Sequence, residues 1–339
     1  MFLAPWSLKA RLGYEDDSVP SQPNYISIEV EDEASLKPYL CILKKAPHLQ
    51  ELKLAEIEDM AGINEVLTSV PELVRLDLDC CELVQFPREI ARLKQLERFS
   101  LTWNECPMDE VFDILATLPR LKVLRFFQTD VGLENPHVLP PAFARCKNLE
   151  EIDFSQWQNL LTLPEEMGEL RNLRSLEVAN IDYFMGDSAL LKSLPESLCD
   201  LPKLEKLNVY GCDNLTSLPT GFQRLTQLSW LDTLDSGIHE LDLSDEQVRQ
   251  IHTLHLNRQE LEYGKFHELK ELYIENDRNS PLDLSGLAGM ESLTTLKVFH
   301  GALRSTEFLT ELPNLREVRL ACKFDRLPKL KPSVQIDIQ

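Results

Sequence analysis

Short segments in which apolar and polar residues alternate recur along most of this chain. In the segment LEKLNVYGC, residues 204–212, the first, fourth and sixth residues are apolar and the residues between them are mostly polar. Alternation over so few residues is typical of a short β-strand with one buried face. The segment therefore predicts a strand from which Lys206 and Tyr210 point outward.

The same pattern, L-x-x-L-x-L, begins again at intervals of 18 to 31 residues. One such unit cannot bury its apolar edge alone, so about twelve units are expected to stack on one another. The first apolar residues of the units are Leu49, Leu73, Leu96, Leu121, Leu149, Leu173, Leu204, Leu228, Ile251, Leu269, Leu293 and Leu315.

Prolines mark both ends of the segments that connect the strands. Proline suits the first turn of a helix, where its missing N–H is not needed, and it also stops a helix ahead of a strand. The first role fits Pro87, Pro140, Pro164, Pro195 and Pro219, and the second fits Pro47, Pro71, Pro119, Pro202 and Pro313. Each connection is therefore predicted to be a short helix or an irregular return.

The ninth residue of the best-formed units is Asn or Cys, at Cys81, Asn104 and Cys212. Leucine-rich repeats carry Asn or Cys at this ninth position, and residues 49–324 therefore resemble the leucine-rich-repeat superfamily. The string GCDNLTSLPTGFQRLTQL is similar to the intracellular repeats of plant immune receptors and of bacterial effectors with L-P-x-x repeats. The resemblance implies an α/β solenoid, a horseshoe with a parallel concave sheet and short helices or irregular returns on the convex side.

The resemblance also implies a division of the chain and a role for its cysteines. Residues 1–48 are expected to form an N-terminal cap, residues 49–324 the repeats, and residues 325–339 a closing strand, all in one continuous domain. The side chain of Cys212 is expected to turn inward and bond neighbouring backbone. The alternative, a reactive thiol, needs exposure and an electropositive neighbour.

Charge and composition exclude several classes of protein. The formal charge of −21 disfavours binding to nucleic acid or to anionic membranes, since both need clustered Lys and Arg. No apolar stretch reaches the ~18 residues that a spanning helix requires, and the N-terminus does not read as a signal peptide. The eight cysteines show no paired clustering, which favours a reducing cytoplasm.

Candidate chemistry is sparse. No G-x-S-x-G, H-E-x-x-H or phosphate-binding glycine motif occurs. The residues His252 and His255 are expected on opposite faces of a strand, which disfavours a shared metal ion. The pairs Glu165-Glu166 and Cys80-Cys81 are interpreted as surface and structural residues. The sequence thus predicts no enzyme activity, no metal and no cofactor.

Outward positions supply three candidate partner-binding patches, since aromatic residues beside Arg are typical of interface hot spots. Two alternatives stay open at this point: Trp103 tucks over the end of its strand, and the insertion at residues 181–191 packs on the scaffold. The candidate residues are Arg98, Trp103, Arg125 and Phe127 in the first patch, Lys206, Tyr210, Trp230 and Asp232 with Tyr183 and Phe184 of the insertion in the second, and Tyr273 and Phe299 in the third.

The partner is expected to be another protein. Over the outward positions of all units, eight residues are Lys or Arg and twelve are Asp or Glu, which weakly favours a basic partner surface. The predicted function is a monomeric, cytoplasmic, non-enzymatic module that binds a protein on its concave face. The alternative is a bacterial effector, secreted into a host cell, or a toxin-neutralising inhibitor that blocks its target by occupying it.

Overall fold

The computed structural model divides the chain into two compact units, Met1–Asn159 and Leu160–Gln339, here called unit 1 and unit 2. That residues 49–324 form one continuous domain stays a prediction. The structure describes residues 11–13, 25–29, 36, 43–46, 48–57, 60–104, 106–127, 137–157, 160–180, 190–257, 261–276 and 280–338.

In unit 1, an antiparallel pair leads into a parallel sheet. Strand β1 runs antiparallel to β2, and β2, β3, β4, β5, β6 and β8 follow one another in parallel. The strands are β1 Arg11–Gly13, β2 Tyr25–Glu29, β3 Glu51–Ala55, β4 Arg75–Asp79, β5 Arg98–Thr102, β6 Val123–Phe127, β7 His137–Val138 and β8 Glu151–Asp153.

In unit 2, the strands from β10 to β17 pair in chain order, and each pair is parallel. The strands are β9 Leu160–Thr162, β10 Ser175–Glu177, β11 Lys206–Asn208, β12 Trp230–Asp232, β13 Thr253–Asn257, β14 Glu271–Glu275, β15 Thr295–Ala302, β16 Glu317–Lys323 and β17 Gln335–Ile338. Consecutive strands that neighbour one another in an open parallel sheet confirm the predicted α/β solenoid class.

The returns between strands are mostly single turns of 3₁₀ helix. The α-helices are α1 Met60–Ser69, α2 Met108–Leu115 and α3 Asp245–Gln250. The 3₁₀ helices are Arg88–Arg92, Pro141–Arg145, Glu165–Glu169, Glu196–Asp200, Phe222–Arg224, Tyr263–Lys265, Ser285–Leu287 and Glu307–Glu311.

The first set of prolines sits just ahead of these 3₁₀ helices rather than inside their first turn. Pro87, for example, is extended, with φ at −63° and ψ at 113°, and directly precedes Arg88–Arg92. Its carbonyl accepts a hydrogen bond at 3.2 Å from the N–H of Ile90, and the Ile90 side chain is fully buried. The proline therefore fixes the turn that drives an apolar residue into the core.

The core contains the apolar first, fourth and sixth residues of the repeats together with apolar residues of the returns, such as Ile63 and Phe112. In unit 1 it also contains a chain of aromatic rings. Phe99 contacts Phe126 edge-on at 6.3 Å between ring centroids, and Phe126 contacts Phe154 at 5.9 Å and Trp157 at 6.1 Å. These rings lie directly beneath strands β5 to β8, so the sheet above them rests on a rigid support.

At seven of the repeats that the structure describes, the chain turns sharply at the eighth repeat position. The turn has a positive φ at Glu56, Cys80, Trp103, Gln156, Gly211, Asp235 and His300. The N–H of this residue still donates to the next strand; that of Trp103 bonds the Phe127 carbonyl at 3.1 Å. The left-handed residue thus extends the ladder while redirecting the chain, so that the ninth residue enters the core.

Candidate functional site

The ninth side chains bond the backbone of the preceding repeat, as the resemblance implies. The Asn104 side chain is 1% exposed; its amide N–H groups donate to Leu78 at 3.2 Å and Thr102 at 2.7 Å, and its oxygen accepts from the Leu83 N–H at 3.1 Å. Cys212 places its Sγ 3.2 Å from the Val178 carbonyl. These bonds satisfy backbone groups that would otherwise be buried without partners.

The cysteines at this position are not reactive thiols. Burial raises the pKa of Cys212 to about 12 and that of Cys81 to about 11. The adjacent Cys80 points outward, and burial together with the Asp79 charge raises its pKa to about 11. A nucleophilic cysteine needs the opposite shift, so the Cys80-Cys81 pair is structural.

The candidate carboxylate pair at Glu165 is structural too. Its two oxygens accept backbone N–H bonds from Glu196 at 3.3 Å and Ser197 at 3.0 Å, at the start of the next 3₁₀ helix. Glu196 repeats the arrangement on Thr220 and Gly221, and these hydrogen bonds lower its pKa. Each carboxylate caps the helix of the following repeat.

The sheet residues whose side chains point away from the core, at the third, fifth and seventh repeat positions, form what we call the open face. In unit 1 the open face contains a groove of about 830 Å³, referred to below as the groove of unit 1 or simply the groove. Its charged lining residues are Glu51, Lys53, Arg75, Asp77, Asp79, Arg98, Arg125 and Glu151, and Ser100, Thr102, Val123 and Phe127 are also in the lining.

The two halves of the groove differ in how their charges are satisfied. On β3 and β4, Lys53 pairs with Asp79 at 2.8 Å and Arg75 pairs with Asp77 at 2.9 Å. On β5 and β6, Arg98 and Arg125 are both exposed, and neither makes an ion pair within the residues that the structure describes. The β5–β6 half therefore presents two available guanidinium groups.

Trp103 stands at the carboxyl end of β5, beside that half. Its side chain is 42% exposed, which decides between the two alternatives for this residue in favour of exposure. Its φ is 52°, a conformation that bulky residues rarely adopt. The half-buried Phe127 on β6 follows the same strand register, opposite Thr102. Arg98, Arg125 and Phe127 thus line one groove, and Trp103 follows β5 at the end where Phe127 lies.

The open face of unit 2 is a chain of side chains that bond one another. Lys206 pairs with Glu177 at 2.9 Å and lies over the Trp230 ring at 4.5 Å. His255 bonds Asp232 at 2.7 Å and stacks on Tyr273, with ring centroids 4.0 Å apart. Much of the predicted second patch is therefore occupied by its own neighbours.

The third patch continues that chain. Lys297 lies 4.7 Å from the centre of the Tyr273 ring and pairs with Glu317 at 3.0 Å. Arg319 lies 5.6 Å from the Phe299 ring and pairs with Asp337 at 3.2 Å. Tyr273 and Phe299 are both half-buried, so the row offers fewer free groups than the sequence alone indicates.

Asp232 was expected to point into solvent but is buried, and so is Leu234 two residues later. Asp232 is 7% exposed because His255 covers it, and Leu234 is 9% exposed. Leu234 occupies the last position before the left-handed turn at Asp235, so its side chain folds against the repeat end rather than standing on the sheet. Tyr210 is half-buried. Tyr183 and Phe184 of the insertion lie outside the described residues.

The Asp232–His255 pair is the open-face feature that sequence reasoning missed. The sequence treated His255 only as a possible metal ligand beside His252. The sequence nevertheless contained a signal for this pair. The fifth-position residues of adjacent repeats lie opposite each other, and in these two repeats they are Asp232 and His255. Among the described residues, no three His, Cys, Asp or Glu side chains are grouped to hold a metal ion.

Comparison with known proteins gives matches to parts of longer chains. No protein-family model matches the chain. It is 34% identical to the protein flightless-1 homolog of Caenorhabditis elegans over 118 residues, covering 34% of this chain and 9% of that protein. It is 30% identical to the disease resistance protein UNI of Arabidopsis thaliana over 209 residues, covering 57% of this chain and 22% of that protein. The chain thus spans less than a quarter of either relative.

Among solved structures, the chain is similar to an internalin, inlF, from Listeria monocytogenes. The TM-score is 0.53 at 14% sequence identity, and the match covers 89% of this chain and 87% of that one. At this identity the similarity concerns the fold alone. No helix in the part of the chain that the structure describes is both long and apolar enough to cross a membrane.

Proposed function

Since the chain is a member of the leucine-rich-repeat superfamily, we propose that it is a non-enzymatic module that binds another protein on the open face of its sheet. The primary contact is the β5–β6 half of the groove, with Arg98, Arg125 and Phe127 in its lining and Trp103 beside it. The module acts as a monomer, and the formal charge of −21 favours a protein over a nucleic acid as the partner.

The observation that carries this proposal is the exposed, strained Trp103. A large indole that is 42% exposed forgoes much of the stabilisation available from burial. Its φ of 52° adds a cost on the order of 1 kcal/mol. Both its exposure and its backbone conformation therefore lower the stability of the free protein. Such a residue is expected where a partner covers it, and Trp is strongly enriched in such contacts.

The open face of unit 2 is proposed to play a supporting role. Its aromatic rings at Trp230, Tyr273 and Phe299 already contact cations or other rings of the same face. Binding there requires these contacts to be exchanged for contacts with the partner, which gives a smaller net gain. Removing them should first lower the stability of unit 2 and only then affect binding.

The proposed absence of catalysis rests on the state of the candidate groups. Burial raises the pKa of the thiols at Cys81, Cys106, Cys146 and Cys212 well above the usual value, which opposes nucleophilic chemistry. The Glu165 carboxylate is engaged in helix capping. Chemistry needs available groups in matched geometry, and these groups are committed to structure.

The test compares two single substitutions of exposed apolar residues. The full chain is immobilised and exposed to a lysate of its source organism as wild type, as Trp103→Asn and as Val84→Asn. Val84 is 66% exposed and lies off the open face, so it serves as the matched control. Asn is chosen because it tolerates the left-handed conformation at position 103.

We expect a stoichiometric protein partner that binds wild type and Val84→Asn and is lost from Trp103→Asn. Circular dichroism must show that both variants remain folded. A partner that is retained at wild-type affinity by folded Trp103→Asn would contradict the proposed site.

A further inference from the structure

The contacts of the groove also indicate what kind of partner segment it takes. We propose that the β5–β6 half of the groove binds an acidic protein segment, with carboxylates on Arg98 and Arg125 and an adjacent apolar side chain on Trp103 and Phe127. This inference rests on the proposed function and specifies the partner at the same site.

The first support is the pairing of charges around the groove. The cations of β3 and β4 are neutralised by neighbouring carboxylates, in the pairs Lys53–Asp79 at 2.8 Å and Arg75–Asp77 at 2.9 Å. Arg98 and Arg125 make no ion pair among the described residues, although Asp153 lies opposite Arg125 in the β6–β8 register. Glu151, which likewise makes no ion pair among the described residues, lines the same groove. Both guanidinium groups are therefore available to the carboxylates of a partner.

The second support is the spacing of the two guanidinium groups along the sheet. Ser100 lies opposite Arg125 in the β5–β6 register, so Arg98 is two residues earlier on the neighbouring strand. Such a diagonal pair of Cα atoms is separated by about 8 Å. Alternate side chains of an extended segment lie about 7 Å apart on one face. Two acidic residues separated by one residue therefore match the two arginines.

The third support is the chemistry of the groups themselves. A guanidinium binds a carboxylate through two parallel N–H···O bonds, and this geometry favours carboxylates over neutral acceptors. Two cations at this separation also repel each other until an anion arrives. The sequence-wide count favoured a basic partner, but most open-face carboxylates in the described residues, such as Asp77, Asp79 and Glu317, are already paired.

The overall charge adds a kinetic signature. A chain with a formal charge of −21 repels an acidic partner at long range, and salt screens this repulsion. The association rate should therefore rise with added salt while the short-range ion pairs weaken and dissociation becomes faster. A basic partner would show the opposite change in the association rate.

The experiment selects ligands without a known partner. A displayed library of random twelve-residue peptides is selected on the full chain, and the enriched peptides are then tested on the Arg98→Gln/Arg125→Gln double variant and on Trp103→Asn. The enriched peptides are synthesised with capped termini, together with forms in which Asp and Glu are replaced by Asn and Gln. Arg88→Gln, at an 84% exposed side chain on a 3₁₀ helix, controls for the change in net charge.

We expect enriched peptides with two acidic residues at i and i+2 beside an apolar residue. Each Arg→Gln substitution should raise Kd about tenfold and the double substitution about a hundredfold, since each removes a charge-assisted hydrogen-bond pair. Arg88→Gln should change Kd less than twofold. The amide forms of the peptides should bind as weakly to wild type as the acidic forms bind to the double variant.

The outcomes separate this inference from the proposed function. Peptides that require Trp103 but are neutral or basic, and are insensitive to both arginines, would overturn the acidic-segment inference and leave the binding site standing. Peptides insensitive to Trp103→Asn and to the double variant alike would overturn both. Failure to find any enriched peptide that binds wild type more tightly than the double variant would overturn the acidic-segment inference.

Discussion

The substitution Gly211→Ala tests how the repeats are held together. Gly211 occupies the eighth repeat position with φ at +70°. A Cβ at this residue would lie 3.1 Å from the carbonyl carbon of Asn180 in the preceding repeat and would overlap the carbonyl oxygen. Seven eighth-position residues share the left-handed turn, but at this one the close approach of two backbones also requires glycine.

The expected cost has two parts. A left-handed alanine costs about 1–2 kcal/mol, of which about 0.5–1 kcal/mol is offset because alanine restricts the unfolded chain more than glycine does. Relieving the overlap requires the two repeats to separate, and such overpacking costs about 1–3 kcal/mol. We therefore expect Gly211→Ala to lower the free energy of unfolding by about 2–4 kcal/mol.

Gly289→Ala provides the matched control. Gly289 has φ at +79°, but a Cβ there would meet no atom within 4 Å. It therefore reports the backbone conformation without the overlap, and its expected cost is about 1 kcal/mol or less. Urea denaturation followed by circular dichroism measures both variants. Equal costs for the two substitutions would refute the argument that backbone contact between repeats fixes this glycine.

Three further predictions concern single side chains. Asn104→Ala should lower the free energy of unfolding, measured by urea denaturation, by about 2–4 kcal/mol because it leaves buried backbone groups without partners. Asn104→Cys should lower it less, because Cys fills the same ninth position at Cys81 and Cys212. Equal costs would contradict the role of the ninth side chain in bonding the backbone. Trp103→Asn should leave stability unchanged or raise it by up to about 1 kcal/mol, since it relieves the left-handed Trp; a loss above about 1 kcal/mol would show that the indole is structural. The free energy of unfolding should fall as pH rises from 9 toward 12. Burial raises the pKa of Cys81 to about 11 and that of Cys212 to about 12, so both thiols stay protonated in the folded chain while the thiols of the unfolded chain ionise. Between pH 8 and 11, stability should fall less steeply in Cys81→Ser/Cys212→Ser than in wild type, since Cys106 and Cys146 remain in the variant; equal slopes would contradict this source.

Much of the fold follows from the sequence because the repeat restates one local rule many times. Any single unit is a weak signal, but stacked units must present their first, fourth and sixth residues to one core. The ladder residues Cys81, Asn104 and Cys212 could be identified for the same reason. The glycine at position 211 is typical of a left-handed turn. The other eighth-position residues, such as Trp103, do not indicate that turn from their residue type.

The state of the open face could not be predicted from the sequence. Outward positions are fixed by alternation, but whether Arg98 is available while Lys206 is paired depends on the residues two positions away on neighbouring strands. Asp232 illustrates this dependence, since it was expected in solvent and is buried under His255. To predict which charged side chains of the groove are paired and which are available, the register between neighbouring strands must be known. The sequence of a single strand does not give that register.

The central claim is that a partner covers the β5–β6 half of the groove. Hydroxyl-radical footprinting, read by mass spectrometry, measures this directly, since oxidation reports the solvent access of individual side chains. On binding of an enriched peptide or of the captured partner, oxidation of Trp103 and Phe127 should fall severalfold, while that of Val84 stays unchanged. An unchanged oxidation rate of Trp103 in the saturated complex would contradict the account.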